Sequence, residues 1–187
     1  MTTAENWLER TREDPLEPEL PIIDPHHHFW NRPRNRYILD ELLADLAGQN
    51  VRQTVFVECS SMYRAAGPEE FRVVGETEWV QGIAAQSASG GFGELRAAAG
   101  IIGSADLRLG DRVAPVLEAH LAASPQRFRG IRHRAAWAEP GELPNQPASQ
   151  PGPPAAARGL QARLRLSARA RAQLRSAALS SAAPGAG

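Results

Sequence analysis

The chain has 187 residues, enough for one domain of ordinary size, and 42% of them are hydrophobic, enough to form a core. Lys+Arg and Asp+Glu number 21 each, so the net charge gives no sign of a nucleic-acid or membrane partner. The polar, acidic N-terminus and the lack of an apolar run near ~20 residues argue against a signal peptide and a spanning helix. We therefore expect a cytoplasmic protein, and its single cysteine excludes an internal disulfide.

The charges are nevertheless divided between the two ends of the chain. The first 142 residues hold 15 basic and 21 acidic side chains, whereas the last 45 hold six arginines and no acid. After Trp137, Pro, Ala and Arg replace the β-branched and aromatic residues. We expect a helix and lead-in over residues 1–20, a folded domain over residues 21–137, and a low-complexity basic tail over residues 138–187 that is disordered or read in a shifted frame.

Periodicity predicts alternating strands and helices in the first 133 residues. The predicted strands lie within residues 21–24 (PIID, buried and stopped by Pro25), 51–59 (VRQTVFVEC), 96–107 (RAAAGIIGSADL) and 128–133 (FRGIRH). The predicted helices are residues 3–12, 38–50, 68–87 and 112–124. This alternation is typical of a parallel sheet with helical crossovers, either a doubly wound sheet or the first half of a (β/α)₈ barrel.

Polar clusters follow the predicted strands, at the end where α/β proteins keep their chemistry. The first cluster is DPHHH, and it contains His26 and His28 in an H-x-H pattern. Side chains alternate along an extended segment, so these two imidazoles are expected to point to one side while His27 points away. Imidazole suits zinc and similar divalent metals, although two ligands alone do not complete a zinc site.

Several separated blocks resemble the amidohydrolase-related family, also called the amidohydrolase 2 group. They are IIDPHHHFW, YILDELLADL, VFVECSSMYRAAGPEEFRVVGETEWV, AAAGIIGSADLRLGDRVAPVLEAH and RFRGIRH. This group comprises TIM-barrel hydrolases, among them lactonases of the L-fuconolactonase and L-rhamnonolactonase types. The resemblance covers about Trp7 to Trp137, the N-terminal half of such a barrel. It implies that His26 and His28 are metal ligands, with zinc as the first candidate.

The chain departs from the family pattern in its second half. The family places further histidines after later strands and an aspartate after the eighth, whereas this chain has no histidine after His133 and no aspartate after Asp111. The resemblance therefore implies a metal-dependent hydrolase of a lactone or other cyclic ester of a sugar acid or dicarboxylate, impaired by truncation. The alternatives are an inactive fragment and a protein that binds through its basic tail, so enzymatic activity stays open.

Other candidate residues follow from the same strand ends. We expect Arg132, His133, Arg64 and Trp30 to contact the substrate, with Arg132 binding a carboxylate or lactone oxygen. Roles without chemistry are expected for other residues: a structural acid at Glu58, a small buried thiol at Cys59, a pocket wall at Phe29, a surface residue at His120, and a solvated helix face over residues 75–78.

The expected partners are few. A small-molecule substrate is implied, while no nucleic-acid motif or membrane segment is present, and the basic tail lacks interleaved aromatic residues. Half a barrel would also leave an open sheet edge, through which two copies of the chain could pair as a homo-oligomer.

Overall fold

A computed structural model describes residues 13–133, so the predicted helix at residues 3–12 and the basic tail at 138–187 lie outside the described residues. Within residues 13–133 the strands are β1 (Ile22–His27), β2 (Trp30–Arg32), β3 (Asn35–Tyr37), β4 (Val51–Val57), β5 (Arg96–Ser104) and β6 (Phe128–Arg132). The α-helices of this range are α1 (Leu39–Asp45), α2 (Val74–Ala88) and α3 (Ala114–Ala123). Short 3₁₀ helices, Glu69–Phe71 and Leu107–Val113, lead into α2 and α3.

The strands form a parallel sheet of four members in the order β1-β4-β5-β6, which confirms the predicted mixed α/β class. Each neighbouring pair in this sheet is also consecutive in the chain, apart from the β2–β3 hairpin. That antiparallel hairpin follows the histidines and was not predicted, because its strands have only three residues each. Strands this short carry too little periodicity to be recognised in a sequence.

The helices cover one face of the sheet, which we call the covered face. One cluster joins Leu39 and Leu42 of α1 and Val80 of α2 to Phe56 of β4 and Ile101 of β5. A second cluster joins α2 to α3 through apolar side chains that include Val74, Val116 and Leu117. Because α1 and α2 share the first cluster and α2 and α3 share the second, all three helices lie on the same side of the sheet.

The prediction for the first strand was wrong in two respects. Strand β1 does not stop at Pro25 but continues to His27, with a shift in its pairing to β4 between Asp24 and His27. Proline is tolerated there because an edge strand needs no N–H donor on its outer side. Nor is the strand buried: Ile23 is 60% exposed, since within residues 13–133 β1 pairs only with β4. In the same range, no helix is both long and apolar enough to cross a membrane.

Candidate functional site

Polar side chains from all four parallel strands meet at one end of the sheet. We call this region the strand-tip edge, and its members are His26, His28, Glu58, Asp106, Arg132 and His133. Parallel strands place their carboxyl-terminal ends at the same edge, which is why Glu58 and Arg132, 74 positions apart in the chain, are in contact.

The imidazoles of His26 and His28 face each other at this edge. Their Nε2 atoms are 3.3 Å apart, and the ring planes are perpendicular with centroids separated by 4.9 Å. His28 Nδ1 lies 2.7 Å from the carbonyl oxygen of Val57. A carbonyl oxygen only accepts hydrogen bonds, so Nδ1 is the donor and Nε2 of neutral His28 presents its lone pair. Asp24 fixes the preceding turn, because its carboxylate accepts the His26 backbone N–H at 3.0 Å.

This spacing fits two ligands of one metal ion. Imidazole nitrogens about 2.0–2.1 Å from a tetrahedral zinc lie about 3.3 Å from each other. The bond from His28 Nδ1 to Val57 is also of the kind that orients a metal-ligating histidine from behind. However, no group of three or more His, Cys, Asp and Glu side chains with the geometry of a metal site forms within residues 13–133. The described part of the chain thus brings together two imidazoles, fewer than the side chains of a complete metal site.

His27 points away from this pair and is buried beneath the covered face. Its Nε2 is 2.7 Å from the hydroxyl of Thr54, and its ring packs edge-on against Phe29. Burial lowers the pKa of His27 from 6.5 to about 4, with only a partial opposing effect from Asp24. The alternation expected of an extended segment therefore separates a core histidine from two histidines at the edge.

Arg132 is held by Glu58 across the width of β5. Its Nε donates to Glu58 Oε1 at 2.7 Å, and Nη2 donates to the Glu58 backbone carbonyl. Glu58 is 1% exposed, whereas about a third of the Arg132 side chain is exposed. Arginine has five N–H donors, and in the described residues two are used, so three remain for a ligand.

His133 and Asp106 lie beside Arg132 but do not form a hydrogen bond. His133 Nδ1 is 4.0 Å from Asp106 Oδ1, which is beyond hydrogen-bonding distance. The carboxylate of Asp106 is instead bound by Arg108, at 2.8 Å from both the backbone N–H and Nε. Burial works to raise the pKa of Asp106, but these bonds outweigh it and the net shift is downward.

The remaining predicted substrate contacts are placed less favourably. Arg64 forms an exposed ion pair with Glu78 of α2, with Nε 3.1 Å from Oε2. Trp30 lies in the β2–β3 hairpin with its ring centroid 6.1 Å from that of His28, and its Nε1 donates to Asn35. Phe29, which was expected to wall a pocket, is instead fully buried in the core. Its ring stacks near that of Phe56, so it anchors the segment that follows the histidines.

Residues 58–64 form the first part of the connection from β4 to α2, and we call them the strand-four loop. Glu76 of α2 accepts hydrogen bonds from the backbone N–H groups of Cys59, at 3.0 Å, and Ser61, at 2.7 Å. The prediction of a solvated face over residues 75–78 was therefore wrong, because Gly75, Glu76 and Thr77 are buried and only Glu78 is exposed. Burial raises the pKa of Glu76.

Cys59 has no activated thiol. Burial raises its pKa to about 11, and the nearby carboxylates of Glu76 and Glu58 add to the increase. The thiol donates to the Phe29 carbonyl at 3.1 Å and lies 3.3 Å from the Ser61 hydroxyl. A nucleophilic cysteine needs a lowered pKa, so this environment agrees with a structural role.

His120 was expected on the surface, and this prediction was wrong. It is 0% exposed, and its Nε2 donates to the Ser104 carbonyl at 2.9 Å. Its Nδ1 therefore accepts from the Thr77 hydroxyl at 2.8 Å, and its ring stacks on Phe128 at 4.9 Å. Only the three-dimensional contacts reveal this role, since Thr77 lies 43 residues earlier in the chain.

Comparisons with known proteins give little further information. No protein-family profile and no solved structure matches the chain. One curated relative, "Uncharacterized protein y4mH" of Sinorhizobium fredii (strain NBRC 101917 / NGR234), is 29% identical over 136 residues. The match covers 61% of this chain and 40% of the relative, so the chain corresponds to about two fifths of that protein's length.

Proposed function

We propose that the strand-tip edge is part of the active site of a metal-dependent hydrolase similar to the amidohydrolase-related family. Its substrate class would be a lactone or other cyclic ester of a sugar acid or dicarboxylate. The observation that carries the proposal is the 3.3 Å separation of His26 Nε2 and His28 Nε2, with His28 Nδ1 bonded to Val57. This arrangement leaves one lone pair per ring for a divalent metal, zinc in the first place.

The strand order supports a partial (β/α)₈ barrel as the scaffold. In such a barrel, consecutive parallel strands are neighbours and the helices lie outside. The order β1-β4-β5-β6 has no reversal, and the three described helices lie on one side. A doubly wound sheet would reverse its strand order and place helices on both faces. We therefore take residues 21–133 as the described part of a barrel half.

Within this site, each side chain has a limited role. A bound metal would polarise the ester carbonyl and lower the pKa of an attacking water. His26 and His28 would hold the metal, and the free N–H groups of Arg132 would bind an acid group of the substrate. Glu58 neutralises Arg132 and fixes its orientation, while His133 would line the same pocket.

Metal analysis of the purified 187-residue chain tests the first step. We expect zinc to bind in a 1:1 ratio to the wild type, and the double variant His26→Ala/His28→Ala to lose it, with affinity reduced more than about tenfold. His133→Ala is the matched control, because it removes a neighbouring imidazole that is not a proposed ligand. Equal zinc content in the wild type and the double variant would contradict the proposal.

We expect weak or no lactone hydrolysis from this chain alone, because a catalytic zinc site usually has three protein ligands and the described residues supply two. The assay uses lactones of sugar acids and of dicarboxylates, with the His26→Ala/His28→Ala variant as the baseline. Turnover clearly above that baseline would show that the chain is active despite its length, and so would overturn this expectation.

A second candidate is a non-catalytic chain that pairs with another copy through β1. The supporting observation is that Ile22 and Ile23 are exposed on an edge strand. Sedimentation of the wild type should then show a dimer, and Ile23→Lys should shift it toward the monomer because a charge blocks edge pairing. A wild-type monomer at micromolar concentration would exclude this candidate.

A further inference from the structure

We propose that Glu76 is a positioning residue for the strand-tip edge, because its buried carboxyl fastens the strand-four loop to the first turn of α2. Glu76 holds residues 58–64 against α2. The effect of this contact on catalysis rests on the proposed function, whereas the contact itself does not.

The contacts of Glu76 converge on the loop backbone. Its Oε1 accepts N–H groups from Cys59 and Ser61, two residues apart, and Glu76 is 1% exposed. Its Oε2 is buried and has no hydrogen-bond partner among the described residues. The titratable groups that face it are Glu58, Cys59 and Tyr63, all from the loop. Among the described residues, Glu76 is therefore the acceptor for both buried N–H groups.

The loop needs such a fastening because its backbone is strained. Ser60 and Met62 have φ values of 63° and 51°, in the left-handed region that residues other than glycine seldom adopt. Conformations of this kind are costly for residues other than glycine and persist only where the surroundings hold them. Glu76 supplies two of the restraining bonds, and Arg64 N donates to the Arg72 carbonyl at 2.9 Å.

Glycine at position 75 lets the loop lie directly against the helix. A Cβ there would be 2.6 Å from the Met62 carbonyl oxygen and 2.7 Å from the Arg64 backbone nitrogen. Both are backbone atoms, so the loop itself would have to move. The hydrogen bonds of Glu76 and the missing side chain of Gly75 therefore act on the same contact between loop and helix.

The loop carries one member of the strand-tip edge, Glu58, which binds Arg132. It also includes Tyr63, whose side chain lies close to Ser60 and to Ser104 at the end of β5. If the loop lifted from α2, Glu58 and Tyr63 would shift at the mouth of the candidate site. Glu76 would thus affect the site without touching a ligand.

Cys59 offers a direct measurement, because it is the only thiol of the chain and lies in the loop. The full chain is treated with an aromatic disulfide reagent at pH 8, with chelator present, and the modification rate is followed. We expect Glu76→Ala to raise this rate about tenfold by local opening. Because the Glu76 carboxylate also raises the pKa of Cys59, each variant is measured over a pH series and the rates are compared per thiolate. On that scale Glu76→Gln should stay within about twofold of the wild type, because its amide oxygen still accepts both N–H groups.

Gln86→Ala is the control, since Gln86 is an exposed polar residue later in the same helix and should leave the rate within about twofold. If Glu76→Ala does not fold, Gly75→Ala decides instead. It should accelerate modification, whereas Gly82→Ala, whose Cβ meets nothing within 4 Å, should not. Equal rates for the wild type and the folded Glu76→Ala or Gly75→Ala variant would overturn the proposal, as would Glu76→Gln behaving like Glu76→Ala.

The urea midpoint of each variant separates loop opening from global unfolding, because a rate increase at an unchanged midpoint is local. Zinc binding is not part of this measurement. A failure of the His26→Ala/His28→Ala test would therefore remove the proposed function and leave the inference about Glu76 standing, while equal Cys59 rates would remove only the latter.

Discussion

The covered face and the strand-tip edge use histidine in opposite ways. On the covered face, His27 and His120 are buried, and each is bonded to a threonine hydroxyl. At the edge, the Nε2 atoms of His26 and His28 lie 3.3 Å apart, and among the described residues the Nδ1 of His28 bonds to the backbone carbonyl of Val57. Three of these four residues are adjacent in the sequence, so direction of the side chain and not residue type separates structural from candidate chemical roles.

The difference has a physical origin in solvation. Burial lowers the pKa of both His27 and His120, which keeps these rings neutral at pH 7 and makes their hydrogen bonds part of the fold. His26 and His28 make fewer hydrogen bonds to the rest of the described fold. Their Nε2 atoms are directed at each other across a gap of the size that a metal ion would need. Each prediction below changes one region and uses the other, or its opposite face, as the control.

The largest effect is expected from His120→Leu. This change leaves the Thr77 hydroxyl and the Ser104 carbonyl without their partner and removes the stack on Phe128. We expect the free energy of unfolding to fall by about 3 kcal/mol in urea titrations followed by circular dichroism. The edge variant His133→Ala should change it by less than about 0.5 kcal/mol. Similar losses in both variants would erase the distinction between the two regions.

Most helices and strands could be predicted from the sequence, whereas most side-chain contacts between them could not. The β-branched run of β4 and the apolar spacing of α3 are local signals, and the parallel order of the sheet follows from their alternation. The burial of Glu76 and His120 depends on partners in other elements. The H-x-H pattern gave the direction of His26 and His28, because it needs only the period of a strand. The 3.3 Å gap between them requires coordinates.

A change of pH is expected to have a smaller effect on the free energy of unfolding. The pKa of His27 falls from 6.5 to about 4 on folding, so the unfolded chain binds more protons between these values. The contribution of His27 to the free energy of unfolding is complete above pH 6.5 and is lost as the pH falls toward 4. The free energy of unfolding should therefore fall by about 2 kcal/mol between pH 7 and pH 5. His120 acts in the same direction. Glu76 opposes them, because its raised pKa favours the folded state at low pH.

Urea titrations at pH 5 and pH 7 measure this dependence. We expect His27→Gln to reduce this pH dependence, since it removes a group whose pKa differs between the folded and unfolded states. The control variant Val55→Ala lies on the opposite face of the sheet, removes no titratable group, and should keep the wild-type slope. A slope that survives His27→Gln unchanged would contradict the assignment of this pH dependence to His27.

The smallest effect concerns the two faces of β5. A Cβ at Gly103 would lie 3.0–3.2 Å from the rings of His120 and Phe128 on the covered face. A Cβ at Gly100 would lie 3.5 Å from Val55 on the opposite face, an ordinary contact. We expect Gly103→Ala to lose about 1.5 kcal/mol, because His120 is hydrogen-bonded at both nitrogens and cannot move away. Gly100→Ala should gain about 0.5 kcal/mol, since alanine restricts the unfolded chain and fits the strand. If both variants are equally tolerated in urea titrations, the covered face is less tightly packed than its hydrogen bonds indicate.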